Sequence, residues 1–209
     1  MAIFRCRMKV LILLSSLAVL DACSGTNMLR DRFYGSLANS VPCCKSFKEM
    51  DFAPLENGLL EFEVRTTDPT FEFDTGKSFF RAFALPPRTQ TSRVTISTFS
   101  NELAGGWFQP DLLILDNAKK VTKRIAAPLV GQPMERKPFQ PGVFRYEFEL
   151  PADNDRYAFL IVRTTKDLLA EHTPVAESVT MVAGNVLVPL RNVAKVPHWP
   201  AGKLSLELR

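Results

Sequence analysis

From residue 58 onward the chain alternates. "LLEFEV" (59–64), "FEFD" (71–74), "FFRAFAL" (79–85) and "RVTISTF" (93–99) put apolar residues at every second position, the period of a strand with one buried face. In "VFRYEFEL" (143–150), Phe144, Tyr146, Phe148 and Leu150 fall on one face, with Arg145, Glu147 and Glu149 on the other. "DLLILD" (111–116) reads as a buried strand, and "RYAFLIVRT" (156–164) follows "PADND", a hairpin-like connection by its turn residues. Late strands are predicted at 178–182, 185–190 and 204–208.

Helix signals are sparse. A short amphipathic turn fits 45–50, and a helix with Thr164 or Thr165 as N-cap is predicted from Lys166 to Glu171. Residues 24–42 show no sustained period and end in Pro42, which suits a tether or loosely packed arm. "PLVGQPMERKPFQPG" (128–142) reads as a long surface loop. Many short strands with Gly and Pro punctuation predict an all-β fold, an antiparallel β-sandwich of jelly-roll kind with one or two short helices, spanning 43–209.

The first 22 residues have the order of a signal peptide. Arg5, Arg7 and Lys9 precede an apolar run from Val10 to Leu20 that is much shorter than the roughly 20 residues of a membrane span. Leu20-Asp21-Ala22-Cys23 resembles the bacterial lipobox, with cleavage ahead of a lipidated Cys23 and Asp21 in a slot that usually holds a small or apolar residue. An ordinary secretory site after Ala22, with Cys23 incidental, is the alternative. With lipidation, 23–42 becomes a lipidated tether and the chain stays at a membrane surface; Ser24 points to the outer membrane by the lipoprotein sorting rule.

Charge narrows the partners. The formal net charge is +4, and removing residues 1–22 leaves 23 basic against 21 acidic residues, interspersed and without a Lys/Arg run. Nucleic-acid binding therefore has no electrostatic footprint.

Candidate chemistry is thin. Gly76-Lys77-Ser78 matches the tail of a phosphate loop, but Phe71 stands where the first Gly belongs and a strand pattern follows; a turn with a solvated Lys77 fits better. The mature cysteines other than Cys23 are Cys43 and Cys44, whose adjacency makes a vicinal disulfide the candidate bond in an oxidising compartment. His172 and His198 lie in turn-like settings beside Pro, no Gly-x-Ser-x-Gly elbow occurs, and no zinc spacing appears. "DND" (153–155) suits a turn better than a calcium clip. No catalytic, cofactor or metal residue is assigned.

"GGWFQPD" (105–111) and "PHWP" (197–200) supply the surface candidates: Trp107, Phe108 and Trp199 either stack on the apolar face of a sugar ring or cap the sandwich core.

Three stretches carry a family likeness: "FDTGKSFFRAFALP" (73–86), "FQPDLLILDNAKKV" (108–121) and "YAFLIVRTTKDLL" (157–169). On these the chain resembles the maltose operon periplasmic proteins, the MalM-like family. The resemblance implies a non-catalytic periplasmic protein associated with maltose or maltodextrin uptake, with maltodextrin or an outer-membrane porin as partner; the lipid anchor expected from the lipobox departs from the secreted soluble members of that family. A different class, an envelope scaffold that docks on an outer-membrane channel or the cell wall, stands beside it. An envelope hydrolase with paired acids is a third. Exposure of Trp107 separates the first two, since a buried indole fits a scaffold and an exposed one a sugar platform.

Overall fold

The computed structural model of the chain describes residues 24–100, 106–126, 143–183 and 186–209. The signal peptide, Cys23, Gly105 and the 128–142 loop lie outside the described residues.

Two sheets pack face to face. The strands are β1 (Ala53–Pro54), β2 (Gly58–Val64), β3 (Thr70–Phe73), β4 (Gly76–Ala84), β5 (Ser92–Phe99), β6 (Asp111–Leu115), β7 (Val121–Ala126), β8 (Val143–Leu150), β9 (Phe159–Arg163), β10 (His172–Ala183), β11 (Val186–Pro197) and β12 (Gly202–Leu208). One sheet runs β1-β4-β9-β6-β7, with β3 paired to β4; the other runs β2-β12-β5-β8. Apart from the short parallel β1–β4 pair and isolated bridges, the pairing is antiparallel, so the expected all-β sandwich is what forms.

Alternation explains the core. Val64, Val94, Ile96, Tyr146, Leu150, Leu204 and Leu206 from the four-stranded sheet meet Phe79, Phe83, Leu112, Ile114, Leu160 and Val162 from the larger one. The larger sheet is also covered on its other face, where Phe80, Ala82, Leu113, Leu115 and Ile161 join Met50, Phe71 and Phe73, with Phe47 and Phe52 packed against them. All five residues of β6 are buried, hence the apolar run Leu112–Leu115 that follows Asp111. At roughly 25 cal/mol per Å² of apolar area removed from water, these two layers are the main stabilising contribution.

Three expectations need correction. Residues 24–39 are not a shapeless tether: Ser24–Asn39 is a helix, α1, whose second half is docked. Leu37 enters the core, Phe33 meets Trp199 edge-on at 5.2 Å, and Tyr34 Oη donates to the Leu169 and His198 carbonyls. Tertiary contacts thus hold a helix whose own pattern is weakly amphipathic. Lys77 is not simply solvated; its ammonium donates to the Ala38 and Ser40 carbonyls at 2.7 and 2.8 Å and so ties down the end of α1. "PADND" does not close a hairpin either, because β8 and β9 belong to different sheets. The connection is latched by Asn154, which accepts from the Arg88 amide and donates to the Arg88 carbonyl.

The predicted second helix, α2 (Lys166–Ala170), has Thr165 as N-cap, its hydroxyl accepting from the Leu168 amide. The β3–β4 turn is Asp74-Thr75, with Gly76 at φ 101°, a conformation that favours glycine. β10 and β11 form a separate two-stranded ribbon, paired residue for residue from His172↔Pro197 to Ala183↔Val186.

Candidate functional site

A cleft of about 900 Å³ opens at one end of the four-stranded sheet, where β2 finishes, β12 begins and β5 ends. Its wall takes Phe33 from α1, Phe62 from β2, Phe99 from β5, and both Trp107 and Trp199. Polar groups on it include Glu61, Glu63, Arg65, Thr66, Thr67 and Lys203. The four charges balance, and Arg65 Nε donates to Glu63 at 3.1 Å.

The tryptophans come together because the chain crosses itself here. Trp107 and His198 form an isolated parallel bridge, the Trp107 amide donating to the Pro197 carbonyl and the Trp199 amide to the Trp107 carbonyl at 2.7 Å. Gly106 permits the crossing: the Trp199 indole lies against it so closely that a Cβ there would collide with the ring. Gly202 has the same role against Phe108, where a Cβ would come within 2.8 Å of the Phe108 Cβ.

Trp107, Phe108 and Trp199 are 1%, 0% and 2% exposed, so none offers an open aromatic face. Trp107 packs edge-on against Phe144 at 5.4 Å, and Phe108 belongs to the sandwich core. The core-capping alternative describes their packing. Yet the indole N–H groups of both tryptophans are buried and have no acceptor among the described residues. Each leaves a donor desolvated, a cost of about 1–3 kcal/mol in a protein interior.

Below the cleft, His198 is a saturated node. Nδ1 donates to the Leu168 carbonyl at 2.6 Å, a group that only accepts, so Nε2 receives the Thr173 hydroxyl at 2.7 Å. Burial lowers the imidazole pKa and keeps it neutral, against the smaller opposing pull of the Leu168 hydrogen bond and Glu171. With both ring nitrogens engaged, His198 joins α2, β10 and the Trp crossing; it is not available as a general base.

A second polar cluster lies where β6, β7 and β9 meet. Asp111, the last residue of "GGWFQPD", is fully buried and takes hydrogen bonds from Arg163 Nε at 3.0 Å and Arg124 Nε at 2.8 Å. Arg163, also fully buried, extends to Asp74 at 3.4 Å and lies over the Phe73 ring at 4.3 Å. Asp74, Asp111 and Arg163 come one from each of the three stretches that carried the family likeness. The first and third of those stretches also meet at Ser78, whose hydroxyl accepts from the Thr164 amide. Their shared pattern is thus an interlock between strands, which sequence reading missed because an ion pair has no fixed spacing.

The remaining candidates are placed as follows. Cys43 and Cys44 are bonded to each other with Cα atoms 3.8 Å apart. Cys43 is exposed and its amide donates to the Thr70 carbonyl, while Cys44 packs on the Met50–Phe73 cluster. Asp153 and Asp155 are engaged by the Arg156 amide and by Asn117 respectively, which accounts for "DND" as a turn. Among the described residues no group of three or more His, Cys, Asp or Glu is placed to hold a metal ion.

The model of the family described as maltose operon periplasmic protein precursor (MalM) matches residues 75–208. The chain belongs to this family. The match takes in β4 through β12, the Asp111–Arg163 interlock and the Trp107–Trp199 crossing, so the MalM-family protein carries most of its sandwich within the shared region. Family membership places it among periplasmic proteins of the maltose operon. No curated protein and no solved structure matches the chain.

Proposed function

We propose that this MalM-family protein is a non-catalytic lipoprotein, held through Cys23 at the outer membrane and facing the periplasm, that assists maltodextrin uptake by holding the sugar in the cleft beside Trp107 and Trp199. One observation carries the reading: a ligand-sized cleft combines half-buried Phe33, Phe62 and Phe99 with a charge-balanced polar rim. A neutral polyol suits that lining. Its C–H faces pack on aromatic rings, its hydroxyls both donate and accept, and it brings no charge to be compensated. Glu61 and Glu63 stand two apart on one strand, with Glu63 engaged by Arg65, rather than facing each other across the cleft; this supports binding over hydrolysis.

The second reading, an interaction lipoprotein that docks on an outer-membrane channel or the cell wall, is favoured by the burial of Trp107, Phe108 and Trp199. Titrating the mature protein with maltose, maltotriose and longer maltodextrins, followed by tryptophan fluorescence, separates the two. The sugar reading expects saturable binding, weakened about tenfold when Arg65 and Lys203 on the rim are both changed to Ala, a loss near 1.4 kcal/mol. No binding by a folded protein moves the function to the docking reading.

A further inference from the structure

We infer that the first two turns of α1 form a membrane-docking patch for an anionic lipid surface, which holds the cleft at a fixed, short distance from the bilayer. The inference rests on the lipid anchor at Cys23 proposed above.

The helix begins at Ser24, next to that cysteine in the chain, and its two halves differ. In the second half Phe33, Tyr34 and Leu37 dock on the domain, and Lys77 secures the end. In the first half Met28 is 69% exposed and Leu29 39%, two of the few large apolar side chains left in water among the described residues. Arg30 and Arg32 are exposed beside them, with Arg30 also near Asp31 at 3.6 Å. Apolar side chains next to guanidinium groups suit the boundary between acyl chains and anionic headgroups: the first enter the acyl region and the second meet phosphate.

The acyl chains on Cys23 hold the chain at the surface but leave its orientation free, so a second contact about one helical turn away fixes what the lipid alone does not. Phe33 both ends this segment and lines the cleft. At 1.5 Å per residue, Ser24 to Phe33 spans about 14 Å. The helix is therefore a short stalk rather than a loose leash, and the cleft stays close to the membrane plane.

The test uses the lipidated full-length protein in vesicles of phosphatidylethanolamine and phosphatidylglycerol with brominated acyl chains. A reporter is placed by Met28→Trp, and a control by Val41→Trp beyond the far end of α1, where the side chain is 85% exposed. The native tryptophans are buried and set a constant background, subtracted with the parent protein. The expected result is quenching several-fold stronger for Met28→Trp than for Val41→Trp, reduced when phosphatidylcholine replaces phosphatidylglycerol or when Arg30→Gln and Arg32→Gln are combined. Equal quenching of both reporters in protein that floats with the vesicles overturns the patch. Quenching unchanged by loss of phosphatidylglycerol overturns its anionic character. Protein that does not float and has an unmodified Cys23 by mass spectrometry removes the anchor itself, and the patch with it.

Discussion

Trp107 and Asp111, four residues apart in the chain, are both fully buried and meet opposite circumstances. The Asp111 carboxylate is hydrogen-bonded by Arg163 and Arg124, while the Trp107 indole N–H, like that of Trp199, has no acceptor among the described residues. A saturated buried pair fixes how strands meet and has nothing left to offer a ligand. An unsaturated donor contributes little to the fold and gains most when an acceptor arrives. The difference separates a pair that specifies how the strands of this MalM-family chain meet from an indole donor that adds little to the fold.

The sharpest way to break the comparison is Asp111→Ala. It leaves Arg163 buried and unpaired on one side, and a loss of about 3–5 kcal/mol is expected in urea unfolding. The double change Asp111→Leu with Arg163→Met recovers much of that loss, because the charge that required a partner is gone as well. Gly106→Ala comes next: the added Cβ displaces the Trp199 indole, and a cost of about 1–3 kcal/mol is expected together with weakened maltodextrin binding.

A smaller effect concerns pH. The native His198 pKa lies below the unfolded value near 6.5, so the unfolded chain binds more protons as pH falls. This contribution to stability is complete above pH of about 6.5 and is lost progressively as pH drops from there toward the lowered native pKa. Urea unfolding at a series of pH values, with His198→Gln as the variant whose slope is flatter, checks the sign. Lys77→Met removes the cation from the end of α1 and is expected to cost about 0.3–1 kcal/mol, visible as faster amide exchange within 33–39. The last change sharpens the comparison: Trp107→Phe deletes an unmatched donor together with some packing, so stability in urea unfolding should move by less than about 1.5 kcal/mol.

The sandwich was legible where the period was strict. Phe144 to Leu150 alternate toward the core as their spacing predicts, and Leu112 to Leu115 of β6 are buried as their apolar run predicts. Thr165 caps α2 because a Thr before a short apolar helix has one local use for its hydroxyl. What failed was information held between distant segments. α1 has a poor pattern of its own and depends on Trp199, Leu169 and Lys77, which lie far along the chain. "PADND" has the residues of a turn, but which sheets the turn joins is decided by strand pairing elsewhere. β7 was missed because Val121, Lys123 and Ile125 alternate too weakly on an edge strand. Trp107, Phe108 and Trp199 were singled out by type on two separate stretches, while their meeting and burial depend on glycines on separate segments, Gly106 and Gly202.

The β10–β11 ribbon has a kinetic consequence. Its pairing is local, whereas β12 must find β2, which lies about two-thirds of the chain away. Hairpins form in about 1–10 μs, and pairings between distant segments are slower because loop closure precedes their reward. Zipping the ribbon first would bring Pro197 back beside His172 and shorten the effective loop before β12 begins its search. The ribbon would then serve the sandwich as a shortcut through its topology.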